Sequence, residues 1–304
     1  MREAYLATAK ALVAAAGHIF WDSTFALKGG TAINLFIRNM PRLSVDLDLV
    51  FVDRTLPREA AIEKIKAALQ EARRRLAAAG FAVAQPTSDA AQTKLLLRKN
   101  GVPVKVDVNH VFRGTVFPVR TRALTQAASD ELLAELEIPV VSIEDVYGGK
   151  LVAALDRQHP RDLFDVWQLF AHEGITPGIR KAFVIYLAGH NRPIHEVLFP
   201  KLRDIELDYR ENFSGMTGAP IPLATLYEAR TRLLDELHAG LSANERGFLL
   251  SLAHNAPRWE LLDIEHARDL PALRWKIRNL GELQKADPTR LALHADALEE
   301  KLSR

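Results

Sequence analysis

The chain has 304 residues, 48% of them hydrophobic and 26% charged, with 40 basic against 38 acidic side chains and a formal net charge of +2. That balance suits a globular protein long enough for two domains, and bulk charge alone neither demands nor forbids a nucleic-acid partner. With no cysteine in the chain, disulfides, thiolate metal sites and cysteine nucleophiles are excluded, and a reducing cytoplasm is the expected setting.

Residues 3–18 place Tyr5, Leu6, Ala9, Leu12, Val13 and Ala16 at helical spacing. Charges on both sides of this alanine-rich start, and no small-residue cleavage pattern before Trp21, predict a packing helix and not a signal peptide. No uncharged run approaches the roughly 18 residues a membrane span needs, so no membrane partner is expected.

Residues 27–51 carry the densest signal. A short apolar run, Phe25-Ala26-Leu27, ends in Gly29-Gly30 and leads into the helix-like TAINLFIR, after which a strand carries Asp46 and Asp48. Side chains alternate along a strand, so Asp46 and Asp48 share one face while Val45, Leu47, Leu49 and Phe51 share the other. The glycines let the backbone approach a ligand, and a helix starting near Thr31 offers free N–H groups to an anion. A phosphate cradle followed by two carboxylates suits a hard divalent cation such as Mg²⁺. The order Gly-Gly, helix, Asp-x-Asp resembles the polymerase-β-like nucleotidyltransferases. The competing reading is a plain turn with two solvated aspartates.

A turn follows, and Pro57 is expected at the first position of a helix over 58–79, buried through Ala61, Ile65, Ala68, Leu69, Ala72 and Leu76 and stopped by Gly80. Arg73, Arg74 and Arg75 lie on its outer face, which reads either as solvated or as a nucleic-acid contact. Strands are expected over 81–85, 94–99 and 102–109, with Asn100-Gly101 a hairpin turn. In the last of these Lys105, Asp107 and Asn109 share a face, so Asp107 joins Asp46 and Asp48 if the two strands are neighbours, giving enough carboxylates for two metal ions. The alternative is Asp107 paired with Lys105 on an exposed face. Arg113, Arg120 and Arg122 then alternate with apolar residues, either as a basic rim for an RNA backbone or as a charge-guarded strand edge.

A helix is predicted from a capping-box pattern at Ser142 through Leu155, with Ile143, Tyr147, Lys150 and Ala154 on one stripe. Lys150 therefore points where a core residue would, and Gly148-Gly149 beside it allow another backbone close by. After Pro160 a largely buried helix carries Leu163, Phe164, Val166, Trp167, Leu169 and Phe170, with Asp165 on its polar stripe, an i, i+4 partner for Arg161, and Asp162 at the stripe's edge.

Gly174, Pro177 and Gly178 mark a boundary, giving expected domains of 1–173 and 174–304. Beyond it helices are predicted over 178–188, 194–202, 223–239, 243–253, 270–285 and 289–302. Residues 211–223, with Phe213 and Met216, read as a lid or as a surface loop. Trp275, between Arg274, Lys276 and Arg278, is expected in the core, with RNA stacking the alternative. His195-Glu196 is not a zinc motif, since Phe199 stands where a second histidine would be needed.

Gly29-Gly30-Thr31, Arg42-x-Ser44-x-Asp46-x-Asp48, Lys105-Val-Asp107-Val, the Gly149-Lys150-Leu151 helix, Arg161-Asp162-x-x-Asp165 and the late stretch LPALRWKIRNL together resemble the AbiEii/AbiGii family of nucleotidyltransferase toxins. The resemblance spans residues 25–283. It implies an α+β fold, a polymerase-β-like core of mixed sheet and helices followed by an all-helical C-terminal domain. It also implies a toxin of a toxin–antitoxin or phage-defence pair, transferring nucleotides from an NTP to RNA. In the related mycobacterial toxins the acceptor is the 3′ end of tRNA. Carried onto this chain, Asp46 and Asp48 are metal ligands for Mg²⁺ or Mn²⁺, and Lys150 contacts the triphosphate. Asp165 completes the catalytic set, and Gly29, Gly30, Thr31 and Ser44 hold the nucleotide. Asp107 is a third ligand, a general base or structural. A cognate antitoxin is the implied protein partner. The competing functions are the same core acting on a small molecule or a protein hydroxyl, and a non-catalytic nucleotide-binding module.

Overall fold

Alanine and leucine at helical spacing fold Glu3–Ile19 into α1, with Ala9, Leu12, Val13 and Ala16 buried. The computed structural model describes residues 3–84, 94–109 and 111–303. Phe25–Lys28 forms β1, and the next helix begins two residues earlier than the sequence suggests, because Gly29 adopts a φ of 74° and turns the chain without a linker. It starts as α2 (Gly29–Thr31) and continues as a π-helix, Ala32–Ile37, where Arg38 N–H donates to Ile33 O at 2.7 Å. π-turns are rare and concentrate at functional sites.

β2 (Asp46–Phe51) buries Leu47, Leu49 and Phe51 as alternation requires. Pro57 is the N-cap of α3 (Arg58–Ala78) and not its first residue, its ψ of 156° keeping it extended. The six apolar positions expected inward on α3 are all buried. β3 (Ala82–Val83) is shorter than the strand predicted over 81–85, of which Gln85 lies outside the described residues. β4 (Lys94–Lys99) and β5 (Val102–Asn109) meet at Asn100-Gly101, whose φ values of 50° and 82° are those of a hairpin turn. β6 (Arg120–Ala123), α4 (Gln126–Leu132) and β7 (Glu137–Val140) follow.

Among the described residues these strands form one seven-stranded sheet in the order β3-β4-β5-β2-β1-β7-β6. The pairs β2/β5 and β1/β7 are parallel and the rest antiparallel, so the sheet is mixed and the strand bearing Asp46 and Asp48 is its central one. β6 is an edge strand, so Arg120 and Arg122 lie on a charged sheet edge, while Arg113 is buried.

The chain then runs through α5 (Ile143–Arg157), α6 (Pro160–Phe170), α7 (Pro177–Ala188), α8 (Ile194–Leu198), α9 (Glu206–Asn212), α10 (Leu223–Gly240), α11 (Ala243–Ala253), α12 (Pro271–Ala286) and α13 (Pro288–Leu302). α8 ends short of residue 202 because Pro200 disfavours helix at Phe199. Two compact units result, Met1–Ser142 with Ser214–Pro220, and Ile143–Phe213 with Ile221–Arg304, so α5 and α6 belong to the second.

Residues 211–223 are not an open lid. Within the first unit Met216 is buried, its carbonyl accepts from Leu43 N–H at 2.8 Å, and Thr217 bridges to Arg42. Within the second, Phe213 is buried against Phe164 and Tyr209, with ring centroids 5.4 and 5.8 Å away. Trp275 departs from its expected core position and is 43% exposed, with the Arg278 guanidinium over its ring. The buried stripe of α12 runs instead through Ala272, Leu273 and Lys276. Among the described residues no helix is long and apolar enough to cross a membrane.

Candidate active site

In a sheet, paired residues on neighbouring strands point to the same side. The register therefore sets Lys28, Asp48, Asp107 and Lys94 in one row across β1, β2, β5 and β4, with Asp46 and Lys105 in the row beside it. Asp46, Asp48 and Asp107 share one face of the first unit, as expected if β2 and β5 were neighbours. Asp107 is also in the alternative arrangement, because Lys105 Nζ lies 2.6 Å from one of its oxygens and Lys94 Nζ 3.5 Å from the other. The Lys105 pKa is raised by its hydrogen bond to Asp107, and the charges of Asp107, Asp46 and Asp48 add to the effect.

The glycine turn is fitted against this face. A Cβ on Gly29 would stand 2.4 Å from Asp48 Oδ2, and one on Gly30 2.7 Å from Arg42 Nη2, so only glycine brings the start of α2 this close. Thr31 Oγ1 donates to Asp46 O at 2.5 Å and shares a 2.7 Å hydrogen bond with Ser44 Oγ, tying the helix start to the Asp46 strand. Arg42 is buried and donates to Leu43 O at 2.9 Å. Arg42 stands in the Arg42-x-Ser44-x-Asp46-x-Asp48 motif, but its place against the Gly30 turn is a tertiary contact that the motif's spacing does not reveal. Carboxylate oxygens on one sheet face suit a hard divalent cation, and the N–H groups at the start of α2 beside them suit phosphate oxygens, so the residues fit Mg²⁺ or Mn²⁺ with a nucleotide.

The second unit gathers a different cluster. Lys150, on the buried stripe of α5, sits between two carboxylates of α6, with Nζ 2.7 Å from Asp162 Oδ1 and 3.0 Å from Asp165 Oδ2. The fractional exposures of Lys150, Asp162 and Asp165 are 7%, 3% and 0%. Burial alone would push the Asp162 carboxyl up, but Lys150 and then Arg157, whose guanidinium lies 2.8 Å away, hold it well below the usual carboxylate range. Helical spacing puts Asp162 only at the edge of the polar stripe, yet it is the closer partner of Lys150. At the head of α6, His159 Nδ1 accepts from Arg161 N–H at 3.1 Å, a role that needs the neutral ring which burial favours. Gly148 allows the close approach anticipated for it, since a Cβ there would meet Ala182 of α7 at 2.6 Å.

Within the first unit the structure thus brings together Asp46, Asp48 and Asp107 with Gly29, Gly30, Thr31 and Ser44. Within the second it brings together Lys150 and Asp165, and adds Asp162.

The family model described as Nucleotidyl transferase AbiEii toxin, Type IV TA system, matches residues 10–277. Among solved structures, the nucleotidyltransferase toxin MenT4 of Mycobacterium tuberculosis has a similar fold, with a TM-score of 0.61 at 19% identity over 91% of this chain and 94% of that one. JHP933 of Helicobacter pylori aligns at a TM-score of 0.42 and 15% identity, over 79% of this chain and 96% of that one. No curated protein sequence matches.

Proposed function

The chain belongs to the AbiEii family of nucleotidyltransferase toxins of type IV toxin–antitoxin systems, and on that premise we propose that it transfers nucleotides from an NTP to the 3′ end of tRNA and so blocks translation in the cytoplasm. Family membership brings with it nucleotidyl transfer, an NTP substrate and an antitoxin partner. RNA as the acceptor goes further and rests on the motif resemblance to the AbiEii/AbiGii family, from Gly29-Gly30-Thr31 to Arg161-Asp162-x-x-Asp165.

One observation carries the reading: Asp46 and Asp48 share a sheet face with Gly29 packed directly against the Asp48 carboxylate. Asp46 and Asp48, with Asp107 as the third carboxylate, would hold Mg²⁺ or Mn²⁺, which supplies charge neutralisation on the pyrophosphate leaving group. The N–H groups of Gly29, Gly30 and Thr31 and the Ser44 hydroxyl take phosphate oxygens. Asp107 otherwise serves as acceptor for the proton of the attacking hydroxyl. Lys150 supplies positive charge to the triphosphate and Asp165 completes the catalytic set. All these residues fall within 1–173, proposed as the nucleotidyltransferase domain ahead of a helical region, 174–304. Catalysis in such a transfer rests on positioning and electrostatics.

Incubation with radiolabelled NTPs and total RNA tests the proposal. Label in the tRNA band, lost in Asp46→Asn, is the expected result. Label in protein or in a small molecule would move the acceptor, and no label with any acceptor would leave only a nucleotide-binding module.

A further inference from the structure

The dipeptide His195-Glu196 fails as a zinc motif along the sequence, but the fold supplies the missing histidine from the last helix. His195 and Glu196 lie on α8 and His294 on α13, and one ligand atom from each falls within 4.8 Å of the other two. The two imidazole rings are 5.2 Å apart between centroids and tilted by 31°. From this juxtaposition we propose that His195, Glu196 and His294 form a transition-metal site, with Zn²⁺ the fitting ion, that ties α13 to α8.

Three features favour an ion over a chance cluster. His195 Nδ1 is buried without a hydrogen-bond partner, a costly state for an imidazole nitrogen that metal ligation removes. Arg192 binds Glu196 through Oε2, at 2.9 Å from Nη2 and 3.3 Å from Nε, which orients the carboxylate and leaves Oε1 available to an ion. Lys301, a nearby cation on α13, has its ammonium 5.5 Å from the ring centre of Phe199, so it is accommodated by an aromatic face.

Two imidazoles and one carboxylate are a borderline donor set, suited to Zn²⁺ and poor for Mg²⁺ or Ca²⁺, which take oxygen. Ligand atoms around tetrahedral zinc stand ~3.4 Å apart, so the cluster, within 4.8 Å, must tighten by up to ~1.4 Å, within reach of side-chain rotation at three half-buried residues. Three protein ligands leave a fourth position for water. His294 also lines a cavity of about 280 Å³ with Lys276, Arg290 and Leu291, which gives that position room.

The test uses the untagged full-length chain after chelation, titrated with Zn²⁺ by calorimetry and with Co²⁺ by visible absorption. One equivalent of Zn²⁺ is expected, with tetrahedral Co²⁺ bands that Zn²⁺ displaces and a melting temperature raised by roughly 5 °C. The equivalent should vanish in His294→Ala and His195→Ala and persist in the Asp46→Asn/Asp48→Asn double variant, which separates this site from the sheet carboxylates. No zinc uptake by the wild type, uptake that survives both histidine variants, or uptake lost only with the aspartates would overturn the site. If a histidine variant fails to fold, the cobalt spectrum of the wild type decides: tetrahedral bands support the site and their absence rejects it.

Discussion

Asp48 and Asp107 face each other across the parallel pair β2/β5, and a lysine closes the row at each end, Lys28 on β1 and Lys94 on β4. The two carboxylates are differently placed. Asp48 packs against the glycine turn, whereas Asp107 carries two lysine contacts, the tighter from Lys105 in the adjoining row. Lys105 therefore competes with any cation drawn to this face. A unit charge about 6 Å from a divalent ion in a wet site costs it ~1.4 kcal/mol, a factor of about ten. Lys105→Ala is expected to bind Mg²⁺ about tenfold more tightly in a calorimetric titration. Unchanged affinity would mean the ion lies beyond the reach of Lys105, and with it of Asp107.

Asp46→Asn and Asp48→Asn keep side-chain volume and remove one negative charge from a face on which three aspartates meet Lys28, Lys94 and Lys105. Their melting temperatures should stay within a few degrees of the wild type, while nucleotidyl transfer falls by at least ~100-fold. A variant that melts normally and still transfers label at more than a tenth of the wild-type rate would remove that aspartate from the catalytic set.

The sheet face was legible because period-two alternation is rigid: once Asp46 and Asp48 are assigned to a strand, their common face follows. Asp107 joined them only conditionally, since pairing between strands separated by some 50 residues is a tertiary fact. Lys150 was visible as a charge in an apolar stripe, but its closer partner was not, because helical spacing ranks Asp165 above Asp162 and only the packing of α5 on α6 reverses them. Trp275 misled because aromatic size argues for burial, while on α12 the Lys276 stem takes the inner position and its ammonium bonds the carbonyls of His190 and Arg192 at 2.9 and 2.8 Å.

Removing Lys150 leaves two carboxylates in the helical interior with one cation fewer. Lys150→Ala should cost about 3–5 kcal/mol of unfolding free energy, the usual penalty for stranding buried charge. Its loss of activity is therefore interpretable only at temperatures where urea titration shows it folded. Lys150→Met combined with Asp162→Asn and Asp165→Asn should recover at least half of the loss. A Lys150→Ala protein as stable as the wild type would contradict the buried triad.

The Asp162 carboxyl is held below its ordinary value of 3.8 against the pull of burial, through Lys150 and Arg157. The unfolded chain then takes up this proton first as pH falls. Stability from the cluster is complete above about pH 4 and is lost as pH drops through the lower folded value. Urea midpoints should accordingly hold between about pH 7 and pH 5 and decline below pH 4. Asp162→Asn should flatten the part of that decline this group contributes, and an identical slope in the variant would rule the contribution out.

Gly148 and Gly149 are adjacent on α5 and share the same helix-propensity cost, yet the packing separates them. A Cβ at Gly148 would lie 2.6 Å from the Ala182 Cβ and 2.8 Å from the backbone of Ala182 and Phe183, neither of which can rotate away. At Gly149 the nearest atom is on the Tyr186 ring at 3.6 Å, an ordinary contact. Replacing a mid-helix glycine by alanine gains up to about 1 kcal/mol where space allows, so Gly149→Ala should stabilise the protein by ~0.5–1 kcal/mol. Gly148→Ala must push α5 from α7 and should destabilise by about 1–3 kcal/mol despite the same gain. Urea unfolding at constant m-value measures both. If Gly148→Ala is as stable as Gly149→Ala, the close crossing of α5 and α7 is not present in solution.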